Sequence, residues 1–287
     1  MEPSHPHSLQ MVWINGRLVA ENEVQISPFD HGLLTGDGVF ETMVAHDSVP
    51  FAFTRHYQRL QKSASRFGLH VPSAEVLRRA CVDVADANDL AAARIRVTVT
   101  GGAAPLGSEK GDAPETIIVA AGQLPHQPEV TQIVIVPYTR NENGALVGIK
   151  TTSYGENVVA LSYAHKNGAR EAIFGNVAGM LCEGTGSNIF IIRNGELITP
   201  PLSAGCLPGV TRALVLDICV SENIQVHEVD TPLTELKDVE AAFLTSTLRG
   251  VQPVATVDGV ELKNAHDGIV ARIQATFNTL CSERSDP

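Results

Sequence analysis

Along its first half the chain switches between two hydrophobic rhythms. RIRVTVT (94–100) alternates strictly: Ile95, Val97 and Val99 fall on one face, Arg94, Arg96, Thr98 and Thr100 on the other. That period predicts a half-buried strand, and TIIVAA (116–121) is its expected partner. MVWING (11–16) reads as a strand entering an Asn-Gly turn, with RLVA returning beside it. VFETMVA (39–45) and VPFAF (49–53) read as a second hairpin around Asp47 and Ser48. The rhythm then lengthens. In TRHYQRLQKSASRFG (54–68), Tyr57, Leu60, Ala64 and Phe67 recur three and four residues apart, predicting a helix that stops at Gly68. Ser73 is placed to cap a further helix striped by Val76, Leu77, Ala80 and Val84.

GQLPHQPE (122–129) carries two prolines and no periodicity. It places an interdomain linker at 123–129, between an N-terminal domain over 1–122 and a larger one over 130–287. Beyond it QIVIVPY (132–138) restarts a sheet, and NVVALSYAHKNG (157–168) reads as a helix with a glycine stop. EAIFGN, MLCE, NIFIIRNGELITP and AAFLTST supply short strands. GVTRALVLDICVSEN (209–223) is a helix offering Val210, Leu214, Ile218 and Val220 to a core. The expected fold class is α+β in two lobes, without the regular βαβ alternation of a doubly wound sheet.

Composition narrows the function. The chain has 287 residues, 44% hydrophobic and 18% charged, with a net charge of −11. Nucleic acid is an unfavourable partner, because binding it requires Lys and Arg to neutralise phosphates; a small anion held by local arginines remains compatible. Five cysteines are scattered without CxxC spacing, which reads as reduced, packed thiols in a cytoplasmic protein. The N-terminal stretch lacks a basic n-region and apolar core. No apolar run approaches the roughly 20 residues that span a bilayer. His5 and His7 read as incidental, and no metal site is expected.

Three segments carry candidate chemistry. Lys150, after an apolar approach and before a small-residue turn in GIKTTSY (148–154), is a candidate Schiff-base amine; its alternative is a solvated surface charge. Tyr154 lies four residues on, with helix-start packing as its alternative. Glu183 sits in CEGTGSN between apolar strands. A carboxylate there can keep a pyridine nitrogen protonated, or simply accept turn N–H groups. LPGVTR (207–212) opens a helix whose first N–H groups could bind an anion, with Thr211 adding a hydroxyl. STLRG (246–250) offers a second hydroxyl-rich turn, and Arg59 a positive charge.

These segments, taken in order, resemble the class IV aminotransferases, the pyridoxal-phosphate enzymes of fold type IV. The resemblance runs through ISPFDHGLLTGDGVFET (26–42), RHYQRLQKSA (55–64), GIKTTSY, the Glu-Gly-x-x-Ser-Asn-Ile-Phe run (183–190), ITPP (198–201), LPGVTR and LTSTLRGVQPV (244–254). It implies a two-domain enzyme with pyridoxal 5′-phosphate between the lobes. Lys150 falls on the lysine that bonds the cofactor's aldehyde and shuttles the substrate proton. Glu183 falls on the partner of the ring nitrogen, Arg59 on the phosphate arginine, Val210 and Thr211 on the phosphate cup, and Thr247 on its second hydroxyl. Tyr154 falls near the phenolic oxygen. A homodimer is also implied.

The cofactor residues do not separate a transaminase, which passes an amino group to a 2-oxo acid, from an aminodeoxychorismate lyase, which releases pyruvate and p-aminobenzoate. GDGVFET is closer to D-amino acid transaminases and lyases than to branched-chain enzymes, and Val44 stands where the latter commonly carry arginine. Phe40, Arg96 and Arg249 are the candidate substrate residues, the two arginines for a carboxylate, and the glycine-rich loop 101–111 is a candidate cover. The favoured reading is a transaminase acting on an amino acid or amine and a 2-oxo acid. A lyase comes second, and a non-catalytic pyridoxal-phosphate binder third.

Overall fold

A computed structural model describes residues 9–264 and 268–287, leaving His5 and His7 outside the described residues. The chain divides into two compact units. One runs to Pro125 and takes in Lys150–Ser153 and Asp286; the other holds His126–Ile149, Tyr154–Ser285 and Pro287.

In the first unit the chain forms β1 (Met11–Ile14), β2 (Arg17–Ala20), the short helix α1 (His31–Leu34), β3 (Gly38–His46), β4 (Val49–Pro50), α2 (Phe53–Phe67), α3 (Ala74–Ala87), β5 (Ala92–Thr100) and β6 (Thr116–Gln123). The strands make one sheet in the order β2-β1-β6-β5-β3-β4. Both hairpins close through paired left-handed residues, Asn15 with Gly16 and Asp47 with Ser48, the backbone that a tight hairpin requires. Alternation sorts the faces as expected. Val39, Met43, Ile95, Val97, Val99 and Val119 are buried with Leu60, Leu77 and Val84 of the helices, while Phe40 pairs with Thr98 and Thr42 with Arg96 on the opposite face.

Two expectations shift here. The strand over 49–53 stops at Pro50, because Ala52 turns left-handed (φ 52°) and Phe53 already begins α2. Val76 is exposed; α3 buries Leu77, Ala80, Cys81 and Val84, and Val76 lies about 100° around the helix from Leu77. Gly68 ends α2 in the left-handed region, and the Ser73 hydroxyl accepts the Val76 amide, both as expected.

The second unit contains β7 (Thr131–Arg140), α4 (Gly155–Lys166), β8 (Glu171–Asn176), β9 (Leu181–Gly184), β10 (Asn188–Arg193), β11 (Glu196–Thr199), α5 (Val210–Ser221), β12 (Val226–Glu228), β13 (Ala241–Ser246), β14 (Gly250–Val257), β15 (Val260–Glu261) and α6 (Gly268–Glu283). Its sheet runs β12-β11-β10-β13-β14-β7-β8-β9, with β15 on β14. Parallel pairs β7–β8 and β11–β12 are bridged by α4 and α5. The architecture is α+β. On α5 the buried positions are Leu214, Val215, Ile218 and Cys219, and Val220 faces outward at 78% exposure, again one residue off the stripe. No described helix is long and apolar enough to cross a membrane.

Phe190 and Phe243 sit on paired strands and stack with ring centroids 4.8 Å apart, both fully buried. Truncating one leaves a void that its neighbours cannot fill. Phe243→Ala is expected to lower unfolding stability by about 3–5 kcal/mol, measured by urea denaturation.

Candidate active site

Lys150 owes its position to the edge of the first sheet. The Phe40 amide donates to the Lys150 carbonyl (2.9 Å), the Thr152 amide to the Gly38 carbonyl (2.8 Å), and Val39 bridges Thr151. A Thr151 hydroxyl bond to Gly38 O (3.0 Å) seals the join. Two glycines make room for it. A Cβ on Gly38 would lie 2.9 Å from the Thr152 hydroxyl, and one on left-handed Gly36 would lie 2.3 Å from Ser153 Oγ. The motifs GDGVFET and GIKTTSY are thus two sides of one contact. The lysine follows the linker in sequence, yet it is bonded to the sheet before it.

The half-buried Lys150 Nζ lies 4.5 Å from the centroid of the Phe40 ring, and the Arg96 guanidinium lies 3.6 Å from the same centroid. Phe40, Arg96 and Lys150 are therefore assembled on one aromatic platform, through cation–π contacts that suit both cations. Arg96 Nε also donates to Thr98 Oγ1 (3.1 Å). Val44 occupies the same face, paired with Arg94 of β5.

Beneath this platform lies a charged cluster in which Glu41 and His56, not singled out in the sequence, join Arg59. Glu41 is 1% exposed; its two oxygens accept Arg59 Nε and Nη2, each at 2.7 Å, and Oε2 also meets His56 Nδ1 at 2.7 Å. Burial alone would raise the Glu41 pKa. Together the Arg59 charge, the hydrogen bonds from Arg59 and His56 and the His56 charge outweigh it, and hold the carboxyl far below the usual range. For His56 burial prevails and lowers its pKa, against the pull of Glu41. Arg59 is thus held in a fixed plane by a bidentate pair. A glutamate inside the apolar run VFETMV was the visible signal for it.

In the second unit Glu183, on β9, accepts the Leu207 amide at 2.8 Å, and its other oxygen lies 3.4 Å from Arg140 Nε. Asn188 Nδ2 holds the Leu207 carbonyl (2.8 Å), and its Oδ1 would lie 2.0 Å from a Cβ on Gly209. Glycine at 209 lets that turn close. It leads into α5, whose N-cap Gly209 supplies no side-chain bond and whose Val210 and Thr211 are buried. The first α5 amides thereby form a cup suited to an anion. Half-buried Thr247 lies in the turn after β13, and half-buried Tyr154 caps α4.

Arg249 is held by polar groups of its own unit. It donates to Gln252 Oε1 (2.6 Å) and to the Arg170 carbonyl (3.2 Å), and lies 3.6 Å from buried Glu171. Glu171 also accepts the Ala172 and Thr185 amides (3.0 Å each), the Thr185 hydroxyl and Ser187 Oγ (3.1 Å). The pair anchors the turn that follows Glu183. Its guanidinium thereby helps brace that turn.

Comparison with known proteins gives the family. The family profile described as Amino-transferase class IV matches residues 38–257. The chain belongs to the class IV aminotransferases. Its cofactor is pyridoxal 5′-phosphate, as throughout the family. A putative branched-chain-amino-acid aminotransferase of Methanocaldococcus jannaschii is 33% identical over 91% of this chain and 92% of its own length. A D-alanine aminotransferase of Staphylococcus epidermidis is 29% identical over 91% and 94%. Among solved structures, a branched-chain aminotransferase of the thermophilic archaeon Thermoproteus uzoniensis, with norvaline, superposes with a TM-score of 0.90 at 30% identity, covering 97% of each chain. A putative 4-amino-4-deoxychorismate lyase of Legionella pneumophila gives 0.85 at 25%, covering 90% and 96%.

The Glu41 cluster has a measurable pH signature. Its stabilising contribution is fully present above the ordinary carboxylate pKa and is lost as the pH falls toward the depressed folded value. Burying neutral His56 acts in the same direction, since unfolded histidine gains a proton at higher pH. Glu41→Gln, which leaves Arg59 buried without its counter-charge, is expected to cost about 3–5 kcal/mol at pH 7. In urea titrations the gap to wild type should narrow as the pH drops below about 4.5.

Proposed function

We propose that this enzyme moves an amino group between an amino acid and a 2-oxo acid, with Lys150 as the amine that holds the cofactor in a Schiff base. The observation that carries this reading is the shared platform: Lys150 Nζ and the Arg96 guanidinium lie over the same Phe40 ring. A nucleophilic amine and a group able to grip a carboxylate through two parallel N–H bonds are what a substrate with an amino or oxo group beside a carboxylate requires.

The residues present fit pyridoxal phosphate. The uncapped α5 N-terminus, with Thr211 on it, suits a phosphate, and the family resemblance adds Thr247 and Arg59 to that role. Glu183, held by the Leu207 amide, fits a protonated ring nitrogen, and Tyr154 fits the phenolic oxygen. Bound there, the cofactor supplies an aldehyde and an electron-withdrawing ring. The chain's own part is narrower: Lys150 Nζ accepts the proton from the substrate's Cα and returns it on the far side of the transfer, and Arg96 orients the substrate carboxylate. The relatives and neighbours named above, which include branched-chain and D-alanine aminotransferases, support transfer over elimination. We expect the enzyme to work as a homodimer, as the family resemblance implies, and in the cytoplasm, where its scattered cysteines stay reduced.

The purified protein should be yellow, and borohydride reduction should fix the chromophore to Lys150. Lys150→Ala should lower turnover by about 10²- to 10⁴-fold or more, read as keto-acid release from amino donors with 2-oxoglutarate or pyruvate. Aminodeoxychorismate alone supplies the contrast. Release of p-aminobenzoate from it, with no amino transfer to either oxo acid, would replace the transaminase reading with the lyase.

A further inference from the structure

Arg140, the last residue of β7, is held by three neighbours in the second unit. Its guanidinium carbon lies 4.3 Å above the Phe174 ring, Nη1 donates to Glu156 (2.9 Å), and both terminal nitrogens reach Asn157 Oδ1 (3.3 Å each). Asn157 in turn donates to the Thr185 carbonyl, in the turn beyond Glu183. The side chain is 16% exposed. Its Nε is buried, makes no hydrogen bond, and faces Glu183 Oε1 at 3.4 Å. Phe174 and Glu183 are partners across β8 and β9, so the ring under the guanidinium and the carboxylate beside it belong to one sheet face.

Glu156, Asn157 and Phe174 hold the guanidinium in a placement that leaves its Nε buried without a hydrogen bond, which is a cost. It makes sense if the charge is aimed at Glu183. We propose that Arg140 is the positioning residue of Glu183: it holds the carboxylate toward the Leu207 amide and keeps the proton shared with the cofactor on the ring nitrogen rather than on the carboxylate. The second half rests on the assignment of Glu183 to the ring nitrogen. The physical reason is electrostatic. A cation beside the carboxylate favours its ionised form, so a single proton shared between ring and acid is driven to the ring, where it makes the electron sink effective.

The other titratable groups near this carboxylate do not supply such a charge. Burial, with Glu183 itself second, pushes the Cys182 thiol up, and likewise raises Cys206 to about 12. Both are neutral at physiological pH. Glu142 acts on Cys182, and Arg212 and Glu228 act on Cys206; the latter two already pair with each other.

The test uses NMR in two arms. In cofactor-free protein carrying ¹³C-labelled glutamate, with Glu183→Gln identifying the resonance, the Glu183 carboxyl should titrate at higher pH in Arg140→Met than in wild type. Arg140→Lys should restore it, and Asn157→Ala, which loosens Arg140 without removing a charge, should shift it upward by less. In holoenzyme with ¹⁵N-labelled cofactor, the ring nitrogen of Arg140→Met should move toward the unprotonated position. An unchanged Glu183 titration in both Arg140→Met and Asn157→Ala overturns the proposal. If Glu183 shifts as expected while the ring nitrogen ignores even Glu183→Gln, the ring-nitrogen assignment falls and the proton placement falls with it.

Discussion

The join between residues 150–152 and the edge of β3 is the constraint on which the chemistry of the first unit depends. Two main-chain hydrogen bonds and the Thr151 hydroxyl fasten the segment to Gly38–Phe40. Strand pairing fixes a residue to within a fraction of an ångström, because shifting the register by one would turn every side chain to the other face. Lys150 is therefore aimed by backbone geometry at the Phe40 ring rather than left to its own rotamers. Gly36 and Gly38 exist at their positions because any side chain there would collide with Ser153 or Thr152. A flexible amine becomes a located one.

A second pattern recurs within each unit: three carboxylates are each matched to an arginine. Glu41 pairs with Arg59, Glu171 with Arg249, and Glu183 with Arg140. Burying charge is costly unless the partners are close and their remaining donors are used. The geometry differs with the task. Around Glu41 every bond is short, which makes a rigid mount for Arg59. Around Glu171 the carboxylate spends its capacity on the Thr185 and Ser187 turn, and Arg249 lies at a longer 3.6 Å. Glu183 has one oxygen on a main-chain amide and the other facing a guanidinium 3.4 Å away.

Much of the fold was legible because its signals are local. The alternation of Ile95, Val97 and Val99, the Asn15-Gly16 turn, the Gly68 stop and the Ser73 cap each depend on neighbours within a few residues. Val76 and Val220 were misplaced for a related reason. Apolar runs on a helix are wider than the stripe that packs, and only contact with the sheet selects which residues of the run are buried. Strand β4 was overextended because a left-handed Ala52 has no reliable residue signature.

The sequence by itself determined the family, since the ordered motifs from GDGVFET to LTSTLRG carry it, and with it the cofactor. It also determined most elements, whose hydrophobic periods reflect short-range burial. Only the tertiary structure decided what the charged residues do. Arg96 and Lys150 meet over Phe40 although the whole linker lies between them in the chain; Arg249 is turned to Glu171; Glu41 of β3 meets His56 and Arg59 of α2, and Arg140 of β7 reaches Glu183 on β9. The reason is range. A buried charge is stabilised by whichever opposite charge the fold brings within about 4 Å, and that partner lies far away in the chain, where no local pattern points.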